Sequence, residues 1–106
     1  MTTYHELTGF QRDCLTAIAG VEDESEPYGL ALKAYLDERY PKPINHSRLY
    51  QNLDDLVEAD LITRESLDER TNAYRLTDDG TQLLQDQADA LASVCPPTVA
   101  ADGGQR

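Results

Sequence analysis

The chain has 106 residues, of which 20 are acidic and 9 are basic, so its formal net charge is -11 and its isoelectric point is about 4.3. This length supports one domain with a single core, and no apolar run approaches the roughly 18 residues of a membrane helix. The first residues lack the basic region and apolar stretch of a secretory signal, so we expect a cytoplasmic protein. Cys14 and Cys95 form no CxxC pair, which argues against a zinc site or a disulfide framework.

The charge balance has two interpretations. An acidic module could bind a basic partner. Alternatively, the chain comes from a proteome adapted to concentrated salt, in which every surface is acidic. The basic residues favour salt adaptation, because two are Lys and seven are Arg. Net charge then says little about partners, and local departures from it say more.

Two helices are predicted in the first forty residues. Thr8 and Gln11 have the spacing of a capping box, which indicates a helix start, and Gly20 is the predicted end. A second helix is predicted from Pro27 to the PKP sequence at 41–43, because proline lacks the N–H that a helix requires. The apolar residues at helical spacing are Phe10, Cys14, Leu15 and Ile18 in the first helix, and Tyr28, Leu32, Tyr35, Leu36 and Tyr40 in the second.

A third helix is predicted to begin after Asn45, a residue type favoured at the N-cap. Its buried stripe would comprise Leu49, Leu53, Leu56 and Val57. The opposite face is polar to basic in its first turns and acidic further along. The residues on it are Ser47, Arg48 and Gln51, followed by Asp54, Asp55 and Glu58.

A hairpin and a fourth helix complete the prediction. The segments ITRESL and AYRLT read as strands joined by the polar turn DERTN. Thr77 would cap a helix that runs to about Val94. Three helices followed by a hairpin form a winged helix-turn-helix. We therefore predict a mainly α fold with a small β-hairpin (α+β) over residues 1–95, a C-terminal dimerisation helix, and a disordered tail at 96–106.

The longest stretch without Asp or Glu runs from Arg39 to Leu53. It covers the loop before the third helix and that helix's first turns, which are the parts that a recognition helix presents to DNA. Arg suits guanine, Gln and Asn suit adenine, and a helix N-terminus offers free N–H groups to phosphate. The predicted DNA-binding residues are Arg39, Lys42, Asn45, His46, Ser47, Arg48 and Gln51, together with Arg70 at the turn of the hairpin.

A second set of candidates has weaker support. For Tyr50, packing is as plausible as DNA contact, because it borders the apolar stripe. The arginines of the hairpin could instead pair with Glu65, Asp68 or Glu69, which contributes little at a surface. The second set is Tyr50, Arg64, Thr71, Asn72 and Arg75.

The fourth helix carries a heptad seam of Leu84, Ala88, Leu91 and Cys95. A helix that follows the wing has little core to pack on, so we predict a homodimer through this seam. The dimer would place two recognition helices on successive major grooves. The alternative is that the helix packs back on the first helix of its own chain.

Other functional classes have less support. The chain offers no nucleophile elbow, no Ser-His-Asp or Cys-His arrangement, no metal cluster and no Gly-rich phosphate loop. We therefore expect neither an enzyme nor a cofactor. The alternatives to a DNA-binding regulator are an acidic interaction module or DNA mimic that occupies another regulator, and a redox sensor based on Cys95.

Four blocks of the sequence together resemble the PadR-like winged-helix transcription regulators of haloarchaea. The likeness spans about residues 7 to 85, and its most distinctive parts are NHSRLYQNLDDL and RTNAYRLTDDG. It implies a dimeric regulator that binds operator DNA through the helix beginning at Asn45 and the wing around Arg70. In such proteins the C-terminal helix usually makes the dimer. Separately from this resemblance, the acidic composition leads us to expect bound salt ions as further partners, which would bridge acidic side chains to DNA phosphates.

Overall fold

The helices and the hairpin follow one another in the predicted order. The computed structural model describes residues 2–95, so the tail predicted at 96–106 lies outside the described residues. A short 3-10 turn at Tyr4–Glu6 precedes the first helix. The elements are α1 (Gly9–Glu22), α2 (Gly29–Asp37), α3 (His46–Glu58), β1 (Ile62–Ser66), β2 (Asn72–Leu76) and α4 (Asp78–Val94). The predicted mainly α fold with a small hairpin is confirmed.

Three of the helices begin at the predicted side-chain caps. The Thr8 hydroxyl accepts the Gln11 N–H at 3.1 Å, and the Gln11 side chain accepts the Thr8 N–H at 3.1 Å, which completes the capping box. Asn45 and Thr77 cap α3 and α4 in the same way, each accepting an N–H three residues further along at 3.0 Å. These starts are set by local hydrogen bonds that satisfy otherwise unpaired helix N–H groups.

Two predicted helix limits are wrong. Helix α1 continues past Gly20 to Glu22, and Gly20 instead lets the Tyr35 ring approach, because a Cβ there would lie 2.9 Å from Cε2 of that ring. Helix α2 begins at Gly29 rather than at Pro27. The Pro27 carbonyl accepts the Tyr74 N–H at 3.0 Å, so this segment is extended beside the hairpin instead of being helical.

The core lies between the three N-terminal helices and one face of the hairpin. Leu49, Leu53 and Leu56 of α3 are buried as predicted, whereas Val57 is half-buried at the edge of the core. The strands pair antiparallel with Ile62 opposite Leu76, and Tyr74 is 2% exposed. This packing holds the hairpin against α3, so that the helix and the hairpin share one core.

Candidate nucleic-acid interface

The outer face of α3 is accessible along its whole length. Asn45, His46, Ser47 and Gln51 are exposed in the first turns, and Asp54, Asp55 and Glu58 are exposed further along. No acidic residue lies in the first turn of the helix. The N-terminal half of this face therefore carries neutral and basic donors, whereas the C-terminal half is acidic.

A half-buried carboxylate sets the course of the loop that leads into α3. The Asp37 carboxylate accepts the Ile44 N–H at 2.7 Å and lies 2.8 Å from the Lys33 ammonium. The hydrogen bond from Ile44, followed by that from Lys33, lowers the pKa of Asp37. Ile44 is only 4% exposed. The carboxylate thus fixes the backbone immediately before the Asn45 cap.

Tyr50 is half-buried on the flank of α3 that faces α2. Its ring stacks with that of His46 at a centroid distance of 6.3 Å and an angle of 24°. Its hydroxyl borders Gly29 so closely that a Cβ at Gly29 would collide with it. Tyr50 therefore packs against α2, and it also lines a cleft of about 450 Å³ that is bounded by Tyr28, Leu30 and the turn of the hairpin.

The turn of the hairpin is held by one carboxylate. Asp68 accepts the N–H groups of Arg70 and Thr71, each at 2.8 Å, and the bond from Arg70 contributes most to lowering the pKa of Asp68. The Arg70 side chain is exposed and forms no ion pair within residues 2–95. Thr71 and Asn72 are half-buried and line the same cleft as Tyr50. The turn therefore presents Arg70 beside α3.

The other two arginines of the hairpin are engaged by carboxylates. Arg64 Nη1 lies 2.5 Å from the Asp54 carboxylate, which joins β1 to the outer face of α3. Arg75 Nη2 lies 2.7 Å from Glu26, and this interaction raises the pKa of Arg75. Both arginines therefore have partners within the chain.

The basic residues of the α2–α3 loop differ in how they are held. The Arg39 guanidinium lies 3.5 Å from the centroid of the Tyr35 ring and donates to the Tyr35 carbonyl at 2.9 Å. Glu38 is 3.9 Å away. Lys42 is exposed and has no ion pair among the described residues. Arg39 thus lies against the end of α2, while Lys42 extends from the loop.

Arg48 lies on the flank of α3 that faces α1. Its guanidinium carbon is 4.0 Å from the centroid of the Phe10 ring. The edge of Tyr40 meets Phe10, with centroids 5.8 Å apart and planes at 86°. The sequence pattern assigned Phe10 and Tyr40 only to apolar stripes, and no local signal shows their contact with Arg48. The helical pattern placed Arg48 with Ser47 and Gln51 on the face opposite the buried stripe, whereas in the structure it lies on the flank against α1.

The seam predicted in α4 divides into two parts. Leu84 is half-buried against the core, next to Leu83, which is 8% exposed, so the first turns do pack on their own chain. Ala88, Leu91 and Cys95 are exposed, and Leu91 reaches 57%. Val94, on the same side, is 73% exposed. The C-terminal half of α4 therefore displays an apolar face.

Other kinds of site find no support in the part of the chain that the structure describes. Within residues 2–95, no three His, Cys, Asp or Glu side chains are grouped so that they could hold a metal ion. No helix in this range has the length and apolar character needed to cross a membrane. Cys14 is 1% exposed, and burial raises the pKa of its thiol to about 12.

Comparison with solved structures shows close relatives. A complex structure of hsRosR-S1 has a TM-score of 0.77 and 42% identity, over 85% of this chain and 77% of the other. RosR of H. salinarum, from crystals grown with NaBr, has a TM-score of 0.73 and 40% identity, over 88% and 82%. F93 from STIV, a winged-helix DNA-binding protein, shares the fold at 15% identity, with a TM-score of 0.63 over 80% and 89%.

The fold and these relatives agree with the family comparison. No protein with a curated description matches the chain. Residues 18–86 match the Transcriptional regulator PadR-like family, a range that includes α2, α3 and the whole hairpin. The chain belongs to the PadR-like family of winged-helix transcriptional regulators.

Proposed function

We propose that this protein is a sequence-specific DNA-binding transcription regulator that acts as a homodimer in concentrated salt. One observation carries the proposal: Tyr50 of α3 and the exposed Arg70 of the wing line the same cleft, and the Tyr50 ring stacks with that of the exposed His46 at the start of the helix. In a winged helix, the third helix enters the major groove and the wing reaches the adjacent backbone. Family membership supports the same function.

The residues divide by the kind of contact that their positions allow. Ser47 and Gln51 point away from the buried stripe and would meet base edges. Asn45, His46 and Lys42 precede or begin the helix and would contact phosphate, as would Arg70 from the wing. The half-buried Tyr50, Thr71 and Asn72 would border one backbone strand in the cleft between them. Arg64 and Arg75 would reach DNA only by exchanging their present carboxylate partners.

Selection of duplexes from a random-sequence pool tests this function directly. We expect the purified protein to enrich one motif in concentrated KCl, and Gln51→Ala to lose preference at one base position. A matched control is Gln82→Ala, an exposed position on α4. A loss of about 1 to 3 kcal/mol per base contact corresponds to roughly a 5-fold to 150-fold change in discrimination. Absence of any enriched motif would contradict the proposal and favour the acidic interaction module or DNA mimic.

The exposed apolar half of α4 supports a homodimer. Leu91 and Val94 are large apolar side chains at 57% and 73% exposure, next to the smaller Ala88. Burying this face against a second copy would remove it from water. We expect light scattering to give twice the monomer mass, and Leu91→Asp/Val94→Asp to give a monomer. The double substitution Gln82→Asp/Ser93→Asp adds the same charge at exposed positions on the opposite face of the helix and serves as the control.

The position of the acids on α3 supports an adaptation of DNA binding to concentrated salt. The Debye length is about 3 Å at 1 M salt, so long-range attraction between protein and DNA is screened. We propose that short contacts then dominate and that cations bridge Asp55 and Glu58 to nearby phosphates. Asp55→Asn/Glu58→Gln should bind DNA more tightly than wild type in dilute KCl and more weakly in concentrated KCl. The control Asp86→Asn/Asp89→Asn changes the charge equally on α4; parallel salt curves for both variants would contradict cation bridging.

A further inference from the structure

The strongest unexplained arrangement in the structure surrounds Arg48. This arginine rests on an aromatic ring, and within residues 2–95 it has no carboxylate within 4.0 Å. Arg39, Arg64 and Arg75 each have such a carboxylate, whereas Arg12, Arg48 and Arg70 have none among the described residues. Arg48 differs from Arg70 because its guanidinium lies over a buried aromatic ring.

The aromatic ring on which Arg48 lies is that of Phe10, and the core holds it in place. Phe10 is only 6% exposed, and its ring is fixed by the core and by the edge of Tyr40. A guanidinium over an aromatic face is attracted by the ring quadrupole, and this contact uses none of its N–H donors. The side chain is therefore oriented while its five N–H groups remain available to acceptors outside the protein.

The carboxylate that could compete for Arg48 is that of Asp13, one turn after Phe10 on α1. Its carboxylate accepts a hydrogen bond from the Tyr40 hydroxyl. Burial and that hydrogen bond raise the pKa of Tyr40 to about 12, so the hydroxyl keeps its proton and remains a donor at neutral pH. Both Asp13 and Arg48 act electrostatically on Tyr40, the first raising and the second lowering its pKa.

We propose that the surroundings of Arg48 keep it free of ion pairs and orient it toward solvent, where it can donate to an acceptor oxygen or nitrogen on DNA. The residues responsible are Phe10, Tyr40 and Asp13. The Phe10 ring supports the guanidinium through a cation–π contact. The Tyr40 hydroxyl donates to the Asp13 carboxylate, which would otherwise form an ion pair with Arg48. All three are positioning residues. The inference rests on the proposed DNA-binding function and identifies how an acidic protein keeps a DNA-contacting arginine available.

The test compares variants on the duplex that the wild-type protein enriches from a random-sequence pool. Tyr40→Phe frees the Asp13 carboxylate to pair with Arg48, and we expect its Kd to rise about 3- to 10-fold. Adding Asp13→Asn removes the competing charge and should restore Kd to within about twofold of wild type. Phe10→Leu should weaken DNA binding, and adding Asp13→Asn should not restore it, because the aromatic ring that supports Arg48 is lost.

A structural readout accompanies the binding data. In the NMR spectrum of the free protein, the Arg48 Nε–H resonance should shift in Tyr40→Phe and return in Tyr40→Phe/Asp13→Asn. A purely structural role for Tyr40 would change stability without this return. Unchanged affinity and an unmoved resonance in Tyr40→Phe would overturn the inference, as would failure of Asp13→Asn to rescue.

The outcomes separate this inference from the function on which it rests. If the wild-type protein enriches no duplex, the proposed function itself fails. If it binds a duplex and Arg48→Ala binds that duplex equally well, DNA binding stands and only the role of Arg48 is overturned. If Arg48→Ala binds less well, replacing guanine by 7-deazaguanine distinguishes the acceptors: a loss confined to wild type and absent in Arg48→Ala indicates a guanine edge, and an equal effect on both proteins indicates phosphate.

Discussion

The guanidinium of Arg64 in β1 lies 2.5 Å from the carboxylate of Asp54 on the outer face of α3. The two side chains remain 44% and 58% exposed, so solvent screens their attraction, and the pair stabilises the fold by less than about 1 kcal/mol. Its main consequence is electrostatic: it neutralises an acid at the point where the outer face of α3 changes from neutral and basic to acidic.

We therefore expect Arg64→Ala to weaken DNA binding and Asp54→Asn to strengthen it. The first change leaves an uncompensated carboxylate near the phosphates, whereas the second releases Arg64 to donate to them. Each change in Kd should be about 3- to 10-fold, with melting temperatures within a few degrees of wild type. Fluorescence anisotropy with a fixed duplex measures both. Equal weakening by the two substitutions would show that the pair acts by holding the wing rather than by balancing charge.

The bond between Asp37 and Ile44 makes stability depend on acidity. Folding lowers the pKa of Asp37 from its ordinary value of 3.8, so the folded protein binds fewer protons there than the unfolded chain does. The contribution of Asp37 to stability is complete above that ordinary value and is lost as the pH falls through the lowered pKa. Asp37→Asn should therefore flatten the acid limb of a plot of unfolding free energy against pH. Glu38→Gln, at an exposed neighbour, is the control.

Gly80 is required by the close approach of α4 to the hairpin. A Cβ at this position would collide with the Leu61 carbonyl oxygen. Gly80→Ala should destabilise the protein by about 1 to 3 kcal/mol, because the backbone must move to relieve the overlap. Gly9→Ala is a matched control, since its Cβ would meet nothing within 4 Å and alanine favours a helix. A melting temperature that changes equally in both variants would contradict the packing argument.

The two cysteines should differ in reactivity. Burial raises the pKa of Cys14 to about 12, so almost no thiolate exists at neutral pH, whereas Cys95 is exposed. We expect Ellman's reagent to modify one thiol quickly in the native protein and the second only after denaturation. Cys95→Ser should abolish the fast phase. Rapid labelling of two thiols in the native state would show that α1 opens readily.

Much of the architecture is determined locally, which explains why the sequence alone predicted it. The caps at Thr8, Asn45 and Thr77 each join groups three residues apart, so the local sequence is sufficient to predict them. Periodicity identified the buried stripe of α3 and the two strands in the same way. The same reasoning failed at Gly20 and Pro27, because their neighbours Tyr35 and Tyr74 come from elsewhere in the chain.

The sequence by itself determined the order of the elements, the face of α3 that points outward and the acid-free start of that helix. Only the tertiary structure decided which arginines form ion pairs or aromatic contacts within the chain. Arg75 pairs with Glu26, 49 residues away, and Arg48 rests on Phe10 of α1. The physical reason is that a hydrogen-bonded cap closes within one helical turn, whereas an ion pair or a cation–π contact depends on which distant side chain the packed core brings within a few ångströms.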